Sequence, residues 1–377
     1  MPINSLILEN FKIFRNATFK FKKYNIITGS NDSGKSTIIH AILTSLKTLT
    51  SDPIVRDVVF SFENIEDIIH NHDVEKVTRI EVNGSLPLNY INENLDFSLR
   101  LRLSRNNGII ITDVSIGNVQ LQDKEVLQAT YSYIIKEARI GKYIIRLIPH
   151  HLQHTVFNVK VFYPRISIIN VDEGLLLLED AFPSIIYKHV CIIPSLRSFI
   201  TSKSKLDFLD TSSSIIIKLL EQPKIKYKVS QVLTSIFGRE IIIDVKKVKG
   251  FDEFYIEDLS SGNRFSLESS SLAQILYVIV HTLSLPKNST LIIEEPEVHL
   301  HPKMQRKFMN ELLKLCNEND LQLIITTHSE YIIKSLDNVR NEVVIYYLER
   351  SRDNVHIINF DSNLDEVLKK FKQDLEG

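Results

Sequence analysis

Glycine is scarce in this chain, 11 of 377 residues, against about 7% in an average protein. Few places can therefore adopt backbone shapes closed to other residues. Cysteine is scarcer. Cys191 and Cys316 are far apart in sequence and show no metal-ligand spacing. That usage argues against a disulfide framework and fits a reducing, intracellular compartment, so a cytoplasmic protein is expected. There is no excess of positive charge. The formal net charge is -1, which removes any global electrostatic signal for nucleic acid. Lysines do cluster locally, at Lys20, Lys22 and Lys23, at Lys203 and Lys205, at Lys224, Lys226 and Lys228, and at Lys246, Lys247 and Lys249. Such runs read either as solvated faces or as local DNA contacts. Long apolar runs are missing too. The most apolar helical stretch, Leu272 to Leu285, is interrupted by Gln274, His281 and Ser284, and a bilayer span needs about 20 apolar residues. The N-terminus lacks the basic-then-apolar layout of a signal peptide. No membrane association is expected. Sustained heptads, internal repeats and low-complexity tracts are absent, which excludes a long coiled coil. What remains, 44% hydrophobic and 24% charged residues, describes a foldable globular chain. Its length suits two or three units by a prior of about 150 residues each.

Two of the rare glycines bracket one loop. Residues 26–37 read Ile-Ile-Thr-Gly-Ser-Asn-Asp-Ser-Gly-Lys-Ser-Thr, which fits G-x-x-x-x-G-K-[ST] with Gly29, Gly34, Lys35 and Ser36. Ile26 and Ile27 read as the end of a buried strand. The run from Thr37 to Leu49 places apolar residues mostly at helical spacing. Strand, glycine-bounded loop and helix form the context of a phosphate-binding loop. Glycines let successive N–H groups turn inward on an anion. The helix N-terminus adds partial positive charge. Lys35 supplies a mobile charge for the β- and γ-phosphates, and Ser36 a hydroxyl for Mg²⁺. Asn31, Gly34, Lys35, Ser36 and Thr37 are the candidate nucleotide-binding residues of this stretch.

In chain order, residues 3–28 break like short strands: Ile3–Leu8, Asn10–Phe14, Ala17–Phe21 and Tyr24–Thr28. They suggest a small antiparallel patch feeding the loop. Residues 51–189 read as an inserted, strand-rich lobe. Period-2 stretches lie at Val77–Val82, Leu95–Leu103 and Phe157–Phe162, and helices are expected at Lys124–Ala138 and Leu175–Ala181. Prolines at 53, 87, 149, 164 and 183 punctuate it. His150, His151 and His154 can offer two ligands at i, i+4 on a helix or form a solvated turn. With no acidic or cysteine partner nearby, the turn is favoured. His70-Asn71-His72 lacks metal-site spacing. Beyond the lobe, a short strand is expected at Val190–Pro194, helices at Ser214–Glu221 and Tyr227–Phe237, and strands at Glu240–Val245, Phe254–Asp258 and Arg264–Leu267. The helix Leu272–Leu285 follows. Then come a strand Leu291–Ile293, a helix Pro302–Asn317, a strand Leu321–Thr327, strands near Glu342–Leu348 and Val355–Phe360, and a final helix Leu364–Leu375.

Two strand ends carry chemistry. Leu291-Ile-Ile runs into Glu294 and Glu295. Beside a phosphate loop, the first carboxylate can hold Mg²⁺ through water and the second can polarise an attacking water; on its own the stretch also reads as a strand entering an acidic turn. Ile324-Ile-Thr-Thr ends at His328, where ligands bind in open α/β sheets. A lone histidine there is often structural, but its place some thirty residues past the acidic pair fits a γ-phosphate sensor.

Leu8-Glu-Asn-Phe-Lys-Ile-Phe14, the Gly29–Thr37 loop, Glu294-Glu-Pro-Glu-Val-His-Leu-His-Pro302 and Thr326-Thr-His-Ser329 resemble the head of ABC-type ATPases. The nearest branch is similar to the OLD (overcoming lysogenisation defect) and SMC-like ATPases, not transporter subunits. Cys191-Ile-Ile-Pro-Ser-Leu-Arg197 resembles a strand-Pro-x-x-Arg segment of the same branch. The resemblance covers residues 1–50 and roughly 190–340 and leaves the lobe at 51–189 unmatched. It implies an α/β P-loop head, split between 1–50 and 190–377, with an antiparallel N-terminal patch and the inserted lobe. It implies ATP and Mg²⁺ as ligands, with Lys35, Ser36 and Thr37 on phosphate and Mg²⁺, Glu294 at the metal, Glu295 as general base and His328 as switch histidine. Leu300-His301 falls at the D-loop. The signature motif departs from the family pattern: Glu268-Ser-Ser-Ser-Leu-Ala-Gln274 stands where Leu-Ser-Gly-Gly-Gln is usual. Ser269 fits the phosphate-contacting serine. Ser270 and Ser271 can offer N–H groups but tolerate close backbone approach less well than glycine. Slow or conditional hydrolysis is therefore expected. No Q-loop glutamine can be assigned. The resemblance further implies a homodimer sandwiching ATP and a role on DNA or in anti-phage defence. OLD nucleases carry a TOPRIM domain with a Glu and an Asp-x-Asp pair. The tail from Ser329 to Gly377 contains no Asp-x-Asp, so any nuclease or toxin effector is expected in a separate chain. An ATP-gated clamp on chromosomal DNA is the alternative. A transporter motor is weakened by the inserted lobe.

Overall fold

The computed structural model describes residues 1–47, 69–70, 76–88, 93–104, 108–117, 119–122, 136–140, 143–156, 159–181, 188–195, 222–248, 251–265, 270–351, 354–361 and 363–376. The chain divides into two units. The first is Met1–Lys22, Ser30–Val190 and Leu348–Ile357. The second is Lys23–Gly29, Cys191–Tyr347 and Ile358–Gly377.

In the first unit, β1 (Ile3–Phe11) and β2 (Phe14–Lys20) form an antiparallel hairpin closed by the pair Phe11 and Phe14. The strand expected over Asn10–Phe14 is broken by this hairpin: Asn10 and Phe11 end β1, Lys12 and Ile13 turn, and Phe14 opens β2. Its apolar residues alternate like a strand, but Asn10 and Lys12 sit at φ 52° and 49°, a left-handed backbone that reverses the chain. β1 also pairs antiparallel with β4 (Thr78–Leu88). The hairpin therefore continues into strands of residues 51–189, in the order β2-β1-β4-β5-β6-β7, with β5 at Glu93–Ser104, β6 at Gly108–Ile116 and β7 at Val119–Gln122. Along β1 and β4, Ile3, Leu6, Leu8, Ile80 and Val82 are buried, the period-2 face that fixes the register.

A second antiparallel sheet runs β11-β10-β9-β8, with β8 at Lys136–Ile140, β9 at Tyr143–Val156, β10 at Val159–Asn170 and β11 at Leu175–Ala181. Two expectations are corrected here. Leu175–Ala181 is a strand, not a helix. A short apolar run is ambiguous by periodicity alone, and the turn at 171–174 decides it: Gly174 adopts φ 62° and Asn170 pairs with Leu175. The helix expected over Lys124–Ala138 ends instead in β8 at 136–138, and its other residues lie outside the described ones. His150, His151 and His154 fall within β9, so neither the helical i, i+4 reading nor the favoured turn applies.

The second unit holds most of a sheet ordered β12-β16-β17-β3-β18-β19. These strands are β12 (Val190–Ile193), β16 (Thr290–Glu294), β17 (Gln322–Thr326), β3 (Tyr24–Gly29), β18 (Val343–Arg350) and β19 (Val355–Asn359). β16, β17 and β3 are parallel neighbours. β17 and β3 are buried along their whole length, as strands covered on both faces must be. The described α-helices of this unit are α2 (Pro223–Phe237), α3 (Ser270–Ser284), α4 (Pro302–Glu318), α5 (Glu330–Lys334) and α6 (Leu364–Glu376). Its core gathers Ile26, Ile293 and Ile325 from the sheet with Leu233, Ile279, Phe308 and Leu312 from the helices. Each such burial contributes about 1.5–3 kcal/mol before entropy is counted. A small antiparallel sheet, β13 (Ile241–Val248), β14 (Phe251–Asp258) and β15 (Asn263–Phe265), matches three expected strands. The helix expected at Ser214–Glu221 lies outside the described residues.

Candidate functional site

The phosphate loop starts where β3 ends at Gly29, and α1 (Lys35–Lys47) opens directly after Gly34. Gly34 adopts φ 98°. A Cβ there would stand 2.2 Å from Ile13 Cδ1 and 3.1 Å from Phe14 Cζ. Glycine is therefore required twice, by the dihedral and by the hairpin residues packed against it. Ile13 is a contributor that the motif alone does not reveal. Lys35 is the first residue of α1 and is buried; its Nζ donates to the Ser30 carbonyl at 2.7 Å. Asn31 and Ser36 are exposed and Thr37 is half-buried. Asp32 sits at φ 57°, and its carbonyl accepts from Arg350 Nη1 at 3.2 Å. Ser33 Oγ is shut from solvent with no hydrogen-bond partner among the described residues. In α1, Ile38 N–H reaches back to Gly34 O, so the helix begins tightly at the loop. Its first-turn N–H groups lack intrahelical acceptors by construction. A cradle that excludes a Cβ, a helix N-terminus, an ammonium and an accessible hydroxyl suit a phosphate with its cation.

In the second unit the strand register sets the other candidates at one edge. Glu294 pairs with Thr326, and Thr326 with Ile27. Glu294 thus closes β16 beside the ends of β17 and β3. Glu295 follows in a left-handed conformation, φ 46°, with its N–H on Thr326 O at 2.9 Å. His299, in the same turn, has φ 64°. Such residues cost on the order of 1–3 kcal/mol each and persist where surrounding bonds over-determine them. Those bonds are visible. Val298 N–H donates to Glu295 O and Leu300 N–H to Glu297 O. Gln274 Nε2 of α3 donates to Pro296 O at 3.4 Å, and Gln305 Nε2 of α4 to Leu300 O at 2.8 Å. Gln305 Oε1 in turn accepts from the Ser329 hydroxyl at 2.5 Å, and Ser329 caps α5.

Glu295 and His328 are brought together: His328 Nε2 lies 3.8 Å from Glu295 Oε1. Ser195 Oγ approaches the other Glu295 oxygen at 3.4 Å. Glu297 is the residue sequence reasoning missed. Its Oε1 accepts from the His328 N–H at 2.6 Å, and the Thr327 side chain also bonds it. Its Oε2 is buried without a partner among the described residues. Burial raises its pKa above the usual carboxylate value, and the nearby Glu295 charge adds to this, against the hydrogen bonds that lower it. Polar residues interrupting apolar helical faces, Gln274 and Gln305, were the readable signal for the turn's anchors. Ser271 is the second residue of α3, at its N-terminus. Ser269 lies outside the described residues, as does Arg197.

Comparison with known proteins agrees with this geometry. A family model described as "AAA domain, putative AbiEii toxin, Type IV TA system" matches residues 236–334, the stretch holding the acidic turn and His328. The Retron Vc95 probable ATPase of Vibrio cholerae serotype O1 biovar El Tor is 24% identical over 393 residues, 91% of this chain and 73% of that protein. An OLD nuclease of Thermus scotoductus (strain ATCC 700910 / SA-01) is 32% identical over 91 residues, 23% of this chain and 16% of its own length. A crystal structure of an SMC head bound to the C-winged helix domain of ScpA has a TM-score of 0.58 at 14% identity. The match covers 97% of this chain and 100% of that one, a likeness of fold. Fold, motifs and matches support the resemblance to ABC-type P-loop ATPases of the OLD-like and SMC-like branch. No described helix is long and apolar enough to cross a membrane.

Proposed function

We propose that this chain binds and hydrolyses ATP as a dimerising switch in a nucleic-acid-linked process such as anti-phage defence or DNA repair. The observation that carries the reading is the loop itself: Gly34 in a conformation and a space closed to other residues, opening into a helix whose first residues are Lys35 and Ser36. In this reading Asn31, Gly34, Lys35 and Thr37 hold the phosphates, and Ser36 with Glu294 holds Mg²⁺. Bound Mg²⁺ supplies charge neutralisation on the phosphates. Glu295 accepts the proton of the attacking water, and His328 orients toward the γ-phosphate. Ser269 and Ser271 of a second protomer complete the sandwich. Residues 51–189 are a lobe inserted in the head and serve as the platform for a separate effector, a nuclease or toxin. The names of the relatives, a retron ATPase and an OLD nuclease, support the defence setting. A second reading, an ATP-gated clamp on DNA with little turnover, draws on the serines that replace the signature glycines. Lys35→Ala should abolish ATP binding measured by calorimetry, because the loop loses its ammonium. Equal affinity in wild type and variant would sink the reading.

A further inference from the structure

Where it leaves the acidic turn, α4 carries Lys303, Arg306, Lys307 and Asn310 at i, i+3, i+4 and i+7, the spacing of one helix face. With His301 and Tyr331 these side chains line an open groove of about 490 Å³. Among the described residues the side chains of Lys303, Arg306 and Lys307 have no acidic or hydrogen-bonding partner. Other cations of the unit do have acidic partners: Lys314 of the same helix pairs with Glu311, Lys334 with Glu330, and Lys287 with Asp320. Three cations stacked on one face repel one another, which folding alone does not reward. An anion seated in the groove removes that repulsion.

We infer that this groove is a binding surface for the sugar–phosphate backbone of a nucleic acid. From Lys303 to Asn310 the helix rises about 10 Å, roughly the axial length of three nucleotides of one strand. Lys303, Arg306 and Lys307 meet phosphates as charges. Asn310 adds an amide donor, and the Tyr331 ring, with Lys334 Nζ at 5.6 Å from its centroid, offers a face for a base or sugar. Donors plus a ring fit a nucleic acid better than a run of acidic side chains, which needs the cations alone. The inference stands apart from the ATPase reading, because none of the three cations belongs to the nucleotide machinery.

The test uses the full chain and fluorescein-labelled 20-mer DNA, single-stranded and duplex, followed by fluorescence anisotropy over a range of salt. The expected result is binding that weakens with salt. In Lys303→Gln/Arg306→Gln/Lys307→Gln the affinity falls tenfold or more and the salt slope drops by about 2–3, as lost phosphate contacts require. Lys314→Gln, on the same helix but already paired, keeps the wild-type affinity. Unchanged ATP affinity and circular dichroism in the triple variant place the loss in the groove. Wild-type protein that binds neither oligonucleotide, or a triple variant that binds as tightly as wild type, overturns the inference. Binding of poly-glutamate with no binding of DNA also overturns it and assigns the groove to an acidic polypeptide.

Discussion

At the scale of single residues, Glu297 is held where a carboxylate is least at ease. One oxygen serves the His328 amide, while the other is shut from water. Burial raises its folded-state pKa above the unfolded value. The protonated form therefore suits the fold better. The stability linked to this group is present below the unfolded carboxyl pKa and is lost as pH rises through the folded one. Glu297→Gln keeps an acceptor for the His328 N–H and cannot ionise. Its melting temperature relative to wild type should rise between pH 5 and pH 8 by differential scanning fluorimetry. A difference that stays flat, or that falls, contradicts the role assigned to burial. The placement of Gly34, Lys35, Glu295 and His328 just past strand ends was legible in the sequence because each follows a buried strand at a motif-fixed distance. Glu297 and Ile13 were not. Their contacts depend on how a turn and a hairpin fold back, and spacing along the chain does not encode that.

Elements differ in how plainly they are written. β3, β16 and β17 each carry a short apolar run, and the structure places them side by side as parallel, buried strands. α4 was legible from a proline at its first turn and a strongly one-sided apolar face, with Phe308, Met309 and Leu312 buried. Leu175–Ala181 was misread because four leucines carry no period of their own. The deciding information sits in the preceding turn, where Gly174 is left-handed and Asn170 Oδ1 accepts from the Asp172 N–H. Asn10–Phe14 was misread for the opposite reason: its alternation is real, but the pair Phe11 and Phe14 closes a hairpin. The joining of β1 to β4 was not readable either. Pairing across some seventy residues is set by matching buried faces, and local pattern shows only that each face exists.

For the molecule as a whole, the proposal is an ATPase head whose effector is a separate chain. From Ser329 onward this chain forms α5, β18, β19 and α6, and the tail has no Asp-x-Asp. The purified chain should leave supercoiled plasmid intact with Mg²⁺ or Mn²⁺ and ATP. Metal-dependent nicking, retained in Lys35→Ala, would place a nuclease within the chain and end the proposal of a separate effector. The central claim is that Glu295, strained into a left-handed turn beside His328, accepts the proton of the attacking water. The most direct measurement is phosphate release from saturating ATP with Mg²⁺, wild type against Glu295→Gln. Glutamine keeps the shape but cannot take the proton. The account predicts turnover by wild type and a fall of about 10²–10⁴-fold in the variant, the usual worth of a general base, with ATP still bound. Release by the variant at the wild-type rate would contradict it.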